Sequence, residues 1–232
     1  ERRRGNPAEA AKLLSRFFNR QKLETPLGLA HGFDHVSLDL PSYPGGPLVT
    51  VIMTSHNAGR TLALALGSIL AQTHARLEVI VVDDASTDDT LDLLLAAAAR
   101  DPRVTIYQNQ SNAGTYLSKN VALRRARGEF ITFMDSDDWS HPRRIERHLA
   151  HMRGRPGLVA CTSDWIRMDE NGRPHLRPWP AQFTHMNPAS LFIRRELLEQ
   201  IGYFDHVRID ADLEYLLRLR GQYSPEAIGR VP

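Results

Sequence analysis

"LEVIVVDDASTDDTLDLLLAAAAR" (residues 77–100) changes its period once, and that change decides the fold. Residues 77–82 form a near-continuous apolar, β-branched run, which suits a strand buried on both faces of a sheet. After Asp83 and Asp84 come Ser86 and Asp89, at the three-residue spacing of a capping box, and then a leucine- and alanine-rich run of helical composition. "LVTVIMTS" (48–55), "RVTIYQN" (103–109) and "EFITFMDS" (129–136) repeat the strand half of this unit, and "RTLALALGSILAQT", "GTYLSKNVALRRAR" and "PRRIERHLAHM" repeat the helical half. Such alternation predicts an α/β fold, a Rossmann-like, mostly parallel sheet flanked by helices. Ligands of such sheets bind beyond the carboxyl ends of the strands. The four strand-like runs all end in polar residues there: Thr54, Ser55, His56 and Asn57; Asp83 and Asp84; 109–114; and 135–138.

The chain has 232 residues, 42% hydrophobic and 24% charged, enough for one large domain or a domain with an appendage. A net charge of +2 is not the concentrated basic stripe of a nucleic-acid binder, so no nucleic acid is expected as a partner. The single cysteine, Cys161, excludes an intrachain disulfide and a cysteine-rich zinc site, and it suits the reducing cytoplasm. The longest apolar tracts, 62–71 and 93–99, fall short of the ~18 residues that span a bilayer, and the chain opens on no signal-peptide pattern. Residues 1–47 read as an N-terminal amphipathic helix and linker. In "PAEAAKLLSRFFNRQKL" Leu13, Leu14, Phe17 and Phe18 share a helical stripe ringed by Lys12, Arg16, Arg20 and Lys22, and the Pro/Gly-rich "LPSYPGGP" follows. That helix has two uses: contact through residues 7–22 with the inner face of a membrane or with a partner protein, or packing on its own domain. Residues 48–232 are expected to form the second domain, cut short at its C-terminal side, since the chain starts at Glu1 and stops at "AIGRVP".

"ITFMDSDDWSHP" (131–142) sets Asp135, Asp137 and Asp138 directly after an apolar run. At about 5 Å and an effective dielectric of roughly 20, each like-charged pair costs on the order of 3 kcal/mol, so a cation is expected beside them. Two apart on an extended segment, Asp135 and Asp137 point the same way, whereas Asp138 points elsewhere and braces the loop. Hard cations such as Mg2+ or Mn2+ take one or two carboxylates and complete their shell with water and phosphate oxygens. Asp83 closes an apolar run, where a carboxylate accepts from a nucleobase imide or a ribose hydroxyl, with Asp84 next to it; Ser86, Asp88 and Asp89 are accounted for as a helix cap. Asn112 and Gly114 predict a turn into a helix N-terminus that suits a diphosphate, with Lys119 and Asn120 about one and a half turns further on; the plainer reading is a turn, a cap and a solvated lysine. In "GYFDHVRIDADLEYLLRLRG" (202–221) Asp212 stands at a helix start, as a cap or as a general base. In the same run Glu214 and Arg218 form an i,i+4 pair, and Leu213, Leu216, Leu217 and Leu219 supply the apolar side.

Taken in order, "VIMTSHN", "VIVVDDASTDDT", "NAGTYLSKNVAL", "FMDSDDW" and "GYFDHVRIDADLEYLLRL" make the chain resemble the inverting nucleotide-sugar glycosyltransferases of family two, with the GT-A fold, from residue 48 to about 220. The resemblance implies that Thr54, His56 and Asn57 line a nucleotide pocket, that Asp83 contacts uracil or ribose with Asp84 beside it, and that Asn112, Gly114, Lys119 and Asn120 lie near ribose and diphosphate. It makes Asp135, Ser136 and Asp137 the D-x-D stretch at the donor, with Asp135 and Asp137 the ligands of a divalent Mn2+ or Mg2+. Asp212 becomes the base, with Asp210 its competitor, because the family often carries Glu-Asp where this chain has Ala211-Asp212. "THMNPASLFIRREL" resembles the acceptor-side segment and implicates His185 and Asn187. Many relatives carry a further metal ligand, often a His, after the catalytic helix; this chain stops before one. The implied activity is metal-dependent, inverting transfer of a sugar from a nucleotide diphosphate donor, a UDP-sugar, to a hydroxyl of a glycan or lipid-linked acceptor in bacterial surface polysaccharide synthesis. One rival is a non-catalytic nucleotide-sugar or glycan-binding module of a larger assembly. Another is a nucleotidyltransferase, which generally has a glycine-rich basic loop after its first strand, where this chain has only Gly59 and Arg60.

Overall fold

The computed structural model describes residues 7–28, 35–168, 174, 177–178, 181–182 and 184–231; residues 1–6 and 29–34 of the expected N-terminal segment, and residue 232, lie outside them. Helix α1 (Pro7–Arg20) precedes β1 (Val49–Ser55), after which helices and strands alternate: α2 (Leu62–Leu70), β2 (Leu77–Asp83), α3 (Thr90–Arg100), β3 (Val104–Gln108), α4 (Thr115–Leu123), β4 (Phe130–Asp135), α5 (Arg144–Arg153) and β5 (Ala160–Ile166). A small hairpin of β6 (Arg177–Pro178) and β7 (Ala181–Gln182) follows, then the long β8 (Thr184–Arg194), α6 (Leu198–Ile201), α7 (Ala211–Gln222) and β9 (Ile228–Val231).

Seven strands form one sheet in the order β3-β2-β1-β4-β8-β5-β9. β1 runs parallel to β2 and β4, β2 to β3, and β5 to β9, while β8 is antiparallel to both β4 and β5. The chain steps outward from β1 through β2 to β3, and α4 then carries it back across to β4 on the other side of β1. The strand order reverses there, so the carboxyl ends of β1 and β4 flank the crevice in which open α/β sheets bind their ligands.

Side-chain alternation along β1 divides the interior in two. Val49, Val51 and Met53 face Leu62, Leu66 and Ile69 of α2, Leu94 of α3 and Ile145 and Leu149 of α5. Ile52 faces the other way, into a core with Ile80, Leu123 of α4 and Tyr215, Leu216 and Leu219 of α7. On α7 the apolar side differs from the expected leucine set: Tyr215 takes the buried place, while Leu213 and Leu217 are 41% and 54% exposed.

The stripe on α1 is used on the chain itself. Leu14 and Phe18 are buried with Val36, and Phe17, Leu23, Trp139, Ile166 and Met168 pack around them. Burial of a side chain of this size is worth about 1.5–3 kcal/mol. Leu13, one residue off the buried line, remains 42% exposed. The segment is also tied to the start of α5: Arg143 donates from Nε and Nη2 to the Glu24 carboxylate at 2.6–3.0 Å, and Arg147 Nη1 donates to Gln21 O at 2.8 Å.

Candidate active site

Two loops at the carboxyl ends of β1 and β2 lock together. Asn57 and Ala85 both adopt left-handed backbone, at φ 51° and 57°, a conformation that non-glycine residues hold only where their surroundings impose it. His56 Nδ1 lies 2.8 Å from Asp84 O, so Nδ1 carries the proton, because a carbonyl only accepts. The Asn57 amide N–H donates to Ser86 Oγ at 2.9 Å, and Asn57 Oδ1 accepts from the Thr87 N–H at 2.8 Å. Ser86 therefore serves the neighbouring loop, and the expected Ser86/Asp89 capping box is not formed. α3 begins at Thr90, whose N–H is taken by Asp88 Oδ1 at 3.0 Å, while Asp88 Oδ2 accepts from Gly59 N–H at 3.1 Å.

Asp83 and Asp84 are both buried, with different tasks. Asp83 Oδ2 accepts from Ser86 N–H and Gln108 Nε2, each at 3.3 Å, and its Oδ1 is buried without a partner among the described residues. Asp84 accepts from Asn109 Nδ2 (2.7 Å) and from the backbone N–H groups of Ala113 (2.9 Å) and Gly114 (2.8 Å). Burial pushes the Asp84 carboxyl up, but the bonds from Asn109, Ala113, Gly114 and Ser118 outweigh it and hold the group below the usual carboxylate range. Asp84 thereby fixes the loop that starts α4. Gly114, at φ +90°, is a position that L side chains rarely adopt.

On α4, Lys119 is 1% exposed rather than solvated. Its Nζ donates to Asp212 Oδ1 at 2.9 Å and lies 3.9 Å from Asp135 Oδ1, above a floor made of Tyr116, Phe133 and Phe204 at 5.2–5.6 Å. Tyr116 OH also reaches Asp212 Oδ2, at 3.4 Å. Asp212 lies in the first turn of α7, beyond Asp210, whose left-handed backbone (φ 60°) turns the chain into the helix. Asp210 itself is exposed and lines neither cavity. Asn120, expected near a diphosphate, is buried with its amide closed on the backbone of Phe204 in both directions, at 2.9 and 3.0 Å. Asn112 is exposed outside the cavity linings.

A cleft of about 290 Å3 gathers Thr54, His56, Asp84, Lys119, Asp135, Ser136 and Asp212, while Asn57, Asp83, Gly114 and Asp137 are outside its lining. Ser55, Thr115 and Tyr116 complete its lining, unassigned by the sequence motifs although "TSHN" and "NAGTYLSKN" contain them. Ser55 Oγ is buried with no partner among the described residues, and Thr54 Oγ1 pairs with Thr115 Oγ1 at 2.7 Å.

β4 stops at Asp135, and the Asp138 N–H turns back to Asp135 O at 3.3 Å, so strand alternation no longer applies to Asp138. Asp135, Asp137 and Asp138 all line a second cavity of about 850 Å3, with Asp137 exposed and Asp138 half-buried. Burial, followed by the charges of Asp135 and Asp137, pushes the Asp138 carboxyl up to about 7. Arg144 stands behind this loop. Half-buried on α5, it donates from Nη2 to Thr132 Oγ1 and Phe133 O, each at 2.7 Å, and removal of its guanidinium from solvent pulls that group down to about 10. In the sequence it is one arginine of "HPRR", with nothing to separate it from a surface residue.

Among the described residues no group of three or more His, Cys, Asp or Glu is placed to hold a metal ion. Asp135, with a 40% exposed side chain, and the exposed Asp137 offer carboxylate oxygens only. That donor set fits a hard cation that draws the rest of its shell from water and phosphate. Asn187 lines the larger cavity, with Oδ1 accepting the Ala189 N–H at 2.9 Å; His185 lines neither cavity. No helix among the described residues is long and apolar enough to cross a membrane.

A family model for Glycosyl transferase family 2 matches residues 50–214, a stretch that contains the whole cleft. The Escherichia coli UDP-Glc:alpha-D-GlcNAc-diphosphoundecaprenol beta-1,3-glucosyltransferase WfaP is 31% identical over 122 residues, 53% of this chain and 48% of that protein. The chain spans about half the length of curated relatives such as this one. Among solved structures, S. aureus TarS in complex with UDP-GlcNAc matches with a TM-score of 0.60 at 23% identity, over 74% of this chain and 52% of that one. The mannosyltransferase PcManGT from Pyrobaculum calidifontis, in complex with GDP-Man and Mn2+, matches with a TM-score of 0.61 at 21% identity, over 97% of this chain and 65% of that one. These two likenesses establish the GT-A architecture of the sheet and helices, and with the family match over most of its length the chain belongs to glycosyl transferase family 2.

Proposed function

We propose that this chain carries the catalytic centre of an inverting glycosyltransferase that moves one sugar from a nucleoside diphosphate donor, a UDP-sugar, to a hydroxyl of a glycan or lipid-linked acceptor in bacterial surface polysaccharide synthesis. The observation that carries the reading is the convergence of Asp135, from β4, and Asp212, from α7, around the buried Nζ of Lys119 at the reversal point of the sheet. Relatives and neighbours that name UDP-Glc, undecaprenol-linked sugars and UDP-GlcNAc support the donor and acceptor classes.

In this reading Asp83, whose buried Oδ1 has no partner among the described residues, accepts from the imide of the base or from the ribose. Thr54, Ser55 and His56 line the donor side. Asp212 takes the acceptor proton as the acceptor oxygen attacks the anomeric carbon opposite the departing diphosphate, so one displacement inverts the configuration. Lys119 and Tyr116 hold the Asp212 carboxylate in place. Asp135 and Asp137 would hold a Mn2+ or Mg2+ ion; the chemistry such an ion supplies when bound is to stabilise charge on the leaving diphosphate.

Calorimetric titration of a panel of nucleotide sugars, with and without Mn2+, tests the site. One UDP-sugar is expected to bind, more tightly with the metal, and Asp137→Ala is expected to remove the metal-dependent part. Turnover is expected to release nucleoside diphosphate; release of pyrophosphate would instead make the chain a nucleotidyltransferase, and binding without turnover would make it a binding module.

A further inference from the structure

The larger cavity has a wall that the family match does not include. Leu14, Phe17 and Phe18 of α1, with Leu23, line it, and all four precede residue 50, where the match begins. Trp139, Ile166 and Met168 line the same cavity and belong to the same apolar cluster. Phe17, Leu23, Ile166 and Met168 are only half-buried, so apolar surface is left facing a concave void of about 850 Å3. About half of the lining is polar or charged, and includes Asp135, Asp137, Asp138, Arg144, Arg167 and Asn187. Asp135 lines this cavity and also the smaller cleft that contains Asp212, so the two spaces meet at that carboxylate. The α1 wall is fixed rather than adrift: Glu24 and Gln21 are bonded to Arg143 and Arg147, at the start of the helix that follows the aspartate loop.

Ligand sites of this size combine an apolar lining with a few polar groups that set orientation. We propose that the N-terminal segment is a working part of the active site. α1 closes the acceptor side, and Phe17 selects a saccharide that carries an apolar tail, with the sugar at the junction beside Asp135 where its hydroxyl meets the Asp212 cleft and the tail along Phe17, Leu23, Ile166 and Met168. This rests on the glycosyltransferase reading, because it takes the smaller cleft as the donor side.

Trp139 and Trp165 line the cavity, so intrinsic fluorescence reports on its occupancy. Octyl β-glucoside, kept below its micelle threshold, is expected to give a saturable shift, whereas methyl β-glucoside and octane sulfonate at the same concentration are not. Phe17→Ser is expected to weaken octyl glucoside binding at least about tenfold. Arg16→Ala, on the exposed side of the same helix, is expected to leave it unchanged. If Phe17→Ser melts, Leu23→Ser, at a half-buried position of the same wall, is expected to lose binding in the same way, and unchanged binding there would equally overturn the inference. Equal binding of octyl and methyl glucosides, equal binding of octane sulfonate, or a Phe17 variant indistinguishable from wild type would each overturn the inference. UDP-sugar calorimetry on the same wild-type preparation keeps the two readings apart: loss of donor binding there defeats the enzymatic reading, while intact donor binding with no discrimination in the cavity defeats only this one.

Discussion

Lys119 shows how a single residue links the sequence to the chemistry. A cation was required by three carboxylates crowded after β4, and part of that requirement is met within the chain by an amine that is 1% exposed, 2.9 Å from Asp212 and 3.9 Å from Asp135. Removing one partner of a buried pair typically costs 3–5 kcal/mol. Asp212 and Asp135 keep 18% and 40% of their side-chain surface, which lets water take over part of the role. Lys119→Met is therefore expected to lower stability by about 2 kcal/mol, with part of the loss recovered in Lys119→Met/Asp212→Asn. Denaturant unfolding of the wild type, Lys119→Met, Asp212→Asn and the double variant measures this, and additive losses would show that the pair is not coupled. Asp83 and Asp135 were legible because each closes an apolar run. Lys119 was legible only as one position in a motif, since burial of an amine depends on aromatic partners such as Phe133 and Phe204, far away in the chain. Asn120 shared that motif, yet its amide closes on the backbone of Phe204, a contact no local spacing reveals.

At the scale of elements, the first four strands and the helices between them could be read because their apolar runs are long and punctuated by polar loops. β5, β8 and β9 could not. β5 and β8 pair across a register shift between Cys161 and Ser163, opposite the stretch that holds Pro188, so their alternation is broken where a sequence reader would look for it. β9 is only four residues long and gains its place by pairing with β5. For α1 the sequence left open whether its stripe faces a membrane or the protein, and the packing of Leu14 and Phe18 gives the second answer. Two adjacent leucines test that packing. Leu14→Ala is expected to cost about 2–4 kcal/mol, and Leu13→Ala, at a 42% exposed position, under about 0.5 kcal/mol. Equal melting temperatures for the two variants would mean that α1 does not rest on the domain in solution.

Across the whole molecule, four of the described histidines sit where protonation is disfavoured. Burial lowers His148 well below the ordinary 6.5, with the positive charges of Arg144, His151 and Arg147 adding to it, and burial also lowers His74, His141 and His151. Each takes a proton less readily folded than unfolded, so below about pH 6.5 these groups favour the unfolded chain. Asp138, raised to about 7, works the other way, since the folded chain takes up its proton below that pH and the unfolded chain does not. The histidines outnumber it, so stability is expected to fall below about pH 6.5, each group contributing up to roughly 1.4 kcal/mol per pH unit. Thermal melts between about pH 5 and 8 check this, and a melting temperature that rises on acidification would contradict it. The same fold brings acids from β2, β4 and α7 to one end of the sheet, and the central claim is that Asp212 acts there as the base. Single-turnover release of nucleoside diphosphate from the bound UDP-sugar, compared between wild type and Asp212→Asn with acceptor present, tests that claim most directly. A fall of about 10²–10⁴-fold with donor affinity within about threefold is the predicted result; an unchanged rate in the variant would contradict it.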